Sequence, residues 1–228
     1  MVVHFAGRPF LRRLVGGFGL LLLSSSTGLA QMNVSVSGGY AGSMTEEGIK
    51  GFSETEFSKN ARTYGGGFGF RFRSGITIEA RVEQLRLELS ETGDVFGTLE
   101  MRPITISVGV QTMPAKNHGF AFHGQVGGGM ARTKFVNGPW IKELEDYYYS
   151  LIDVEVTTKD AFVFTAGGGV DYFITRNFAL TSDFRIVGTN VGTSWAVSGL
   201  GTSLPIEDAD TFYASTAQVL GGVRIWFP

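Results

Sequence analysis

Polar and apolar residues alternate along most of this chain with a period of two, which is the pattern of β-strands. Residues 161–187 show the pattern most clearly. Their even positions are mostly aromatic or aliphatic, while their odd positions include Thr165, Asp171 and Arg185. A break at 175–177 separates two arms that follow the same rule. The segment is predicted to form a β-hairpin with one apolar face and one polar face.

Similar alternation recurs along the rest of the chain, and the breaks between the segments alternate in length. We predict eight strands, at residues 32–42, 60–72, 76–89, a segment ending at 110, 120–132, 161–174, 178–187 and 211–227. Long polar loops are expected at 43–59, 133–160 and 188–210, with part of 133–160 open to extending the flanking strands. Shorter turns are expected at 73–75, 113–119 and 175–177.

Two places interrupt the alternation. The leucines at 85, 87 and 89 fall out of phase with the start of their strand, so we expect a bulge near Glu83 and Gln84 that restores their facing. Pro103 lies within the fourth strand, where proline is unfavourable, and is expected to mark a second change of phase.

The composition indicates which face of the strands meets water. Only 18% of the residues are charged although 43% are apolar, and soluble domains carry about 25% charged residues. No apolar run reaches the roughly 18 residues of a helical membrane span. Apolar residues spread by alternation suit a membrane barrel, in which a lipid-facing arginine at mid-membrane costs about 2–4 kcal/mol. The expected fold class is all-β, an eight-stranded antiparallel up-and-down transmembrane β-barrel with its charges inside.

The first 30 residues differ from the rest. Three arginines precede an apolar stretch at 14–23, and a small-residue segment ends at Ala30. This organisation predicts a signal peptide at 1–30 and a barrel domain at 31–228. The alternative is a membrane anchor, for which the apolar stretch is too short.

Charge and cysteine content exclude some classes of function. The first 30 residues hold three of the 19 basic residues and none of the 21 acidic ones, which leaves 16 basic against 21 acidic residues in the remainder. Nucleic-acid binding is therefore not expected. The chain has no cysteine, so it has neither a disulfide nor a lipid-attachment site.

Two motifs resemble those of the small eight-stranded outer-membrane barrels, a group that includes the transmembrane domain of outer membrane protein A, outer membrane proteins X and W, and the opacity proteins. They are G-G-G-V-D-Y-F-I-T-R-N-F-A-L-T-S-D-F-R at 167–185 and V-R-I-W-F at 223–227. The resemblance covers 31–228. It implies a bacterial outer membrane location, contact with outer-membrane lipid and lipopolysaccharide, and long extracellular loops.

The resemblance also implies an assembly signal. In such barrels the barrel-assembly machinery reads a terminal strand that ends in phenylalanine. Val223, Ile225 and Phe227 have this pattern here, and Pro228 departs from it. We expect the protein to be a monomer.

The inward charges are the first candidate site. An eight-stranded barrel is just wide enough for side chains to fill it, and buried charges must be paired. We expect a closed plug of ion pairs; the alternative is an ion or proton path through the same residues. The network is predicted to contain Glu79, Arg81, Asp171, Asp183, Arg185 and Arg224.

Catalysis is not expected. A lipid A deacylase of similar architecture needs a His paired with a nearby Ser at the lipid-facing rim, but His123 is followed by Gly124 and Gln125. An interior hydrogen-bonding role for His123 is favoured instead. No cofactor is predicted, and no metal site is predicted because the acidic loops lack calcium-loop spacing.

The last candidate is an aromatic group in the 133–160 segment. Trp140, Tyr147, Tyr148 and Tyr149 are expected to form either a loop interaction patch for an unknown extracellular ligand or part of an aromatic girdle.

The function expected from the sequence is a structural or surface-interaction role through long extracellular loops. The alternatives are a narrow channel for small or apolar solutes, a lipid A-modifying enzyme, and a soluble lipocalin-like barrel with its apolar face inside.

Overall fold

The computed structural model describes residues 30–44, 56–57, 61–91, 94–114, 118–147, 152–199 and 202–227. The expected signal peptide lies outside the described residues, apart from Ala30. The elements are β1 (Ala30–Ser43), β2 (Glu56–Phe57), β3 (Ala61–Phe72), β4 (Ile76–Glu91), β5 (Asp94–Gln111), β6 (Gly119–Asn137), α1 (Pro139–Tyr147), β7 (Ile152–Thr158), β8 (Ala161–Thr175), β9 (Phe178–Gly199) and β10 (Thr202–Phe227).

Eight of the described strands form a closed antiparallel ring. Their order is β10-β1-β3-β4-β5-β6-β8-β9, and pairing of β9 with β10 closes it. The first and last strands meet in register, with Met32 opposite Phe227. The expected all-β, eight-stranded antiparallel barrel is confirmed. We call the end that carries Ala30 and Phe227 the proximal end and the opposite end the distal end.

Large apolar side chains cover the outside of the barrel wall, while charged and hydroxyl side chains fill its inside at the same height. This is the reverse of a water-soluble barrel and is typical of a wall that faces lipid. The lipocalin-like alternative is therefore wrong for this part of the chain. Outward apolar residues on different strands include Val36, Ile106, Phe122, Phe164 and Phe184.

The three leucines of β4 do not face outward, and the expected bulge at Glu83 and Gln84 is wrong. Pairing of β4 with β3 runs without a shift through Glu83 to Leu85. Leu85, Leu87 and Leu89 are fully buried inside the ring. The change of phase arises because the interior becomes apolar towards the distal end.

Pro103 does not change the phase of β5 either. It pairs with Ala131 of β6 in unbroken register. On its other side, β5 pairs with β4 in the same register at Ile104 and at Met101. The two residues between them make no pair with β4. The proline lacks a backbone N–H, so it is tolerated where the ladder is interrupted.

The expected loop at 188–210 is wrong. Strand β9 continues to Gly199 and β10 begins at Thr202, so the two form one long hairpin that rises beyond the ring. Its register shifts between Ile206 and Asp210. Strand β7 pairs with β9, starting with Ile152 opposite Gly199, and so becomes a third strand beside the hairpin. The distal end therefore carries a small sheet where a long loop was expected.

The described part of the 133–160 segment consists largely of regular structure, where a long loop was expected. Strand β6 extends to Asn137, and the helix α1 and strand β7 follow it. Pro139 occupies the first helical position, where proline is favoured.

No helix in the described ranges is long and apolar enough to cross a membrane.

Apolar side chains fill the distal interior of the ring. Ile141 of α1 is buried among them, and Trp140 packs against them. The helix therefore covers the distal end of the barrel. The larger members of this distal core are Leu85, Leu87, Leu89, Phe96, Leu99, Met101, Phe135 and Ile141.

Candidate functional site

Strand β4 supplies an acid-base-acid series on three successive inward positions. Arg81 lies between its neighbours, with Nη1 3.0 Å from Oε1 of Glu79 and Nε 2.6 Å from Oε1 of Glu83. It also donates hydrogen bonds to the hydroxyls of Ser35 and Ser37 on β1. Because inward positions alternate, these three side chains project into the lumen from one wall.

Arg185 of β9 bonds across the lumen. Its Nη1 lies 3.1 Å from Oε1 of Glu83, and its Nη2 lies 3.1 Å from Oδ2 of Asp183. Strands β4 and β9 are four places apart in the ring of eight and therefore face each other. The Arg185–Glu83 pair spans the interior.

Arg224 of β10 forms a second link between walls. Its Nη1 lies 2.6 Å from Oδ2 of Asp171 on β8, and its Nη2 lies 3.4 Å from Oε2 of Glu79 on β4. The amide of Gln111 also donates to Asp171, at 2.5 Å. These contacts join strands from three parts of the ring.

The structure brings all six residues of the predicted network together in the lumen. Each of them is at most 6% exposed. Desolvating this many charges is costly unless each has close partners, so their arrangement in pairs is what makes such an interior tolerable. Glu83 joins the same network, and the sequence reading missed it because it placed a bulge there. Its inward facing follows from the unbroken alternation with Glu79 and Arg81.

His123 faces the lumen from β6. Its Nε2 lies 2.6 Å from Oδ1 of Asp183, and its Nδ1 lies 3.9 Å from Oδ2 of Asp171. The ring therefore contacts two carboxylates and forms part of the network. Nearby is a cavity of about 10 Å³, lined by His123, Gln111 and Arg224 among others, which has room for one water molecule at most.

An aromatic layer lies proximal to the ion pairs. The Arg71 guanidinium lies 4.2 Å from the centre of the Trp226 ring, and Phe173 stacks on Trp226 with ring centroids 6.2 Å apart. Arg71 also donates a hydrogen bond to the side chain of Gln31. All three ring-layer residues are buried. Sequence reasoning did not assign this layer, although Arg71 lies on the inward face of its strand.

The predicted aromatic patch is not a single exposed surface in the described residues. Trp140 is half-buried and stacks on Phe96, with ring centroids 4.2 Å apart. Tyr147, at the end of α1, is 76% exposed. Tyr148 and Tyr149 lie outside the described residues.

The residues of the expected assembly signal lie on the seam that closes the ring. Val223, Ile225 and Phe227 pair with Val36, Val34 and Met32 of β1, respectively. Ile225 and Phe227 face outward from the barrel. Their role in assembly remains a prediction.

The site is a set of ion pairs without a coordination sphere. Within the described ranges, no group of three or more His, Asp and Glu residues is placed so that it could hold a metal ion. Arginine groups stand between the carboxylates. The arrangement is suited to hold the walls of the barrel together.

Residues 18–220 match a family described as outer membrane protein beta-barrel domain. The curated proteins that were compared include no match. Among solved structures, the chain is similar to outer membrane protein OprG from Pseudomonas aeruginosa, at 12% identity and a TM-score of 0.49 over 86% of this chain and 95% of that one. It is also similar to outer membrane protein W from E. coli, at 15% identity and a TM-score of 0.48 over 88% of this chain and 98% of that one.

Proposed function

We propose that this protein, which belongs to the outer membrane protein beta-barrel domain family and lies in the bacterial outer membrane, is a closed barrel that works through its extracellular end. The termini of such barrels with an even strand number lie in the periplasm. The proximal end is then periplasmic and the distal end extracellular. The protein serves as an anchor for a structured surface and not as a pore.

The observation that carries the proposal is a lumen filled at three successive levels. The Arg71–Trp226 layer closes the periplasmic level, and the ion pairs of Arg81, Arg185 and Arg224 span the middle. The apolar distal core under α1 fills the extracellular level. A hydrated ion would have to displace side chains at every level, and the middle level is held by charge-assisted hydrogen bonds.

The extracellular end offers the surface for a structural or interaction role. The β9–β10 hairpin with β7 forms an ordered sheet there, and α1 packs on the distal core beside it. Rigid elements hold contact residues in place at lower entropic cost than mobile loops do.

Solute efflux tests the closed barrel. We expect proteoliposomes that contain the refolded barrel and trapped potassium ions to lose them no faster than liposomes without protein. Refolding is checked by the change in gel mobility on heating. Efflux that scales with the number of folded barrels would contradict the proposal.

A narrow path for small apolar solutes is the second candidate, and the apolar distal core favours it. Leu87, Leu99 and Met101 line the interior near the extracellular end, where a solute of that chemistry would enter. The ion pairs below this region would stop the solute from passing farther into the lumen, so this function requires an exit through the barrel wall. Protein-dependent uptake of a small apolar fluorophore, without ion efflux, would favour this candidate over the closed anchor.

We also propose that the protein is not an enzyme. His123 meets the carboxylates of Asp183 and Asp171 inside the lumen, away from the lipid that a lipid-modifying enzyme must reach. Unchanged lipid A after incubation with the folded protein is the expected result. Deacylation that disappears in His123→Ala would contradict it.

A further inference from the structure

Basic side chains interrupt the outer surface of the barrel just beyond the lipid-facing belt, on four successive strands. On the extracellular side, the continuous apolar rows of β3, β4, β5 and β6 end at Tyr64, Val82, Ile104 and Met130, all more than half exposed, and Val136 is a further exposed apolar residue at the far end of β6. The next outward positions on β3, β5 and β6 carry cations, and on β4 the uncharged Gln84 precedes an arginine that is followed by Glu88. We call this group the basic patch; it contains Arg62, Arg86, Arg102, Arg132 and Lys134, all exposed.

The register of the sheet crowds these cations. Arg102 on β5 lies directly opposite Arg132 on β6, and Glu100 lies between Arg86 and Lys134. Like charges directly opposite on neighbouring strands are destabilising. Among the described residues, the one ion pair that any of these cations makes is Arg86–Glu100, at 3.0 Å. Arg102 and Arg132 thus form no ion pair within the described part of the chain.

Among the side chains that the structure describes, the patch lies on one half of the ring. On β1, β9 and β10, in the other half of the ring, Tyr40, Asn190 and Tyr213 hold outward positions near the same rim and carry no charge. At the edge of the patch, the β7–β8 connection contributes Lys159 and Asp160, one charge of each sign. The cations are therefore concentrated on β3 to β6.

We propose that the basic patch binds the phosphate groups of the outer-leaflet glycolipid, with Arg102 and Arg132 as its centre. The patch begins where the apolar belt ends on the extracellular side, which is the depth at which the phosphates of that lipid lie above its acyl chains. A single guanidinium group binds phosphate through two parallel hydrogen bonds. Arg102 and Arg132 place two such groups side by side on adjacent strands. The apolar row of Val82, Ile104 and Met130 below them is placed to meet the acyl chains. The assignment does not depend on whether the barrel conducts.

Binding of bisphosphorylated lipid A to the intact, refolded protein in detergent, with a chelator present, tests the assignment by native mass spectrometry. We expect the wild type to bind this lipid at least about tenfold more tightly than dephosphorylated lipid A, because cations near a lipid surface attract its anionic groups. The double variant Arg102→Gln/Arg132→Gln is expected to lose this preference. Both positions are exposed, so the variant retains the buried core.

The matched control removes two exposed arginines at the other rim. Arg73→Gln/Arg176→Gln alters the periplasmic turns and is expected to keep the wild-type preference. Equal affinity of the wild type for the two forms of lipid A would overturn the proposal. So would full binding by the Arg102/Arg132 variant, or binding of phosphatidylglycerol as tight as that of lipid A, which would mark the patch as a general site for anionic lipids.

Discussion

At the scale of single residues, Arg81 is the charge with the most partners in the lumen. It contacts Glu79, Glu83, Ser35 and Ser37, all within a space closed to bulk water. Removing it leaves two buried carboxylates with one partner fewer each. Breaking a buried pair by removing one member is far more costly than the pair is stabilising, because the remaining charge stays desolvated.

We expect Arg81→Met to lower the free energy of unfolding by about 3–5 kcal/mol. Arg86→Met is the matched control, because it removes an exposed arginine from the same strand, whose partner Glu100 is only partly buried. That change is expected to cost about 1 kcal/mol or less. Urea unfolding in lipid vesicles, followed by tryptophan fluorescence, measures both. Equal costs would show that the lumen is hydrated.

The sequence predicts the inward charges correctly in the middle of the membrane-spanning part and poorly at its ends. Glu79, Asp171 and Arg224 follow from alternation alone, since lipid excludes them from the outer face. Glu83 was not assigned to the interior, because the leucines that follow it suggested a bulge that shifts the strand by one residue. Distances across the lumen, such as the 3.1 Å between Arg185 and Glu83, follow from closure of the ring and not from local sequence.

At the scale of elements, β4 passes through two environments without changing its register. In its first half the outside is apolar and the inside charged; in its second half Arg86 and Glu88 face outward and the leucines face inward. A phase shift in the sequence therefore has two physical causes, a bulge or a strand leaving the membrane. The sequence does not distinguish them, because both move apolar residues to the other parity.

Cysteine labelling separates these two causes, since the chain has no cysteine of its own. In the folded protein, Glu88→Cys is expected to react readily with a water-soluble maleimide, and Leu87→Cys is expected to be protected by at least tenfold. Unfolding in denaturant should make both react at similar rates. Faster labelling of Leu87→Cys than of Glu88→Cys would instead support the bulge.

The helix α1 escaped prediction because it is short. Nine residues are too few for a helix to be stable in isolation, so its packing on the distal core decides its structure. The long β9–β10 hairpin escaped for a related reason: its glycines and Pro205 indicate a loop, and only pairing with β7 and between its own arms makes it a sheet.

Trp140→Ala tests the packing of α1. Loss of the stack on Phe96 is expected to loosen the helix and to speed protease cleavage within 138–151 by about tenfold, with the barrel itself remaining folded. Glu143→Ala, at an exposed position of the same helix, is expected to leave cleavage unchanged. Unchanged cleavage in Trp140→Ala would favour an interaction role for this side chain over a packing role.

At the scale of the whole molecule, the number of strands determines both the barrel architecture and the width of its interior. A ring of this size has an interior that side chains fill, and here they do so with aromatic, charged and apolar layers in turn. The strand number, antiparallel closure and lipid-facing belt were predictable from alternation. The order of the layers was not, because each layer combines residues from strands far apart in the chain.

Single-channel current across a planar bilayer tests the closed interior most directly. The refolded barrel, inserted at a density verified by antibody or gel, is expected to give no discrete openings at moderate voltage and high salt. A large porin inserted under the same conditions controls for the bilayer. Silence supports a barrel that anchors its extracellular end, whereas steady, reproducible openings of one size would contradict the account and show that ions pass the Arg81, Arg185 and Arg224 pairs.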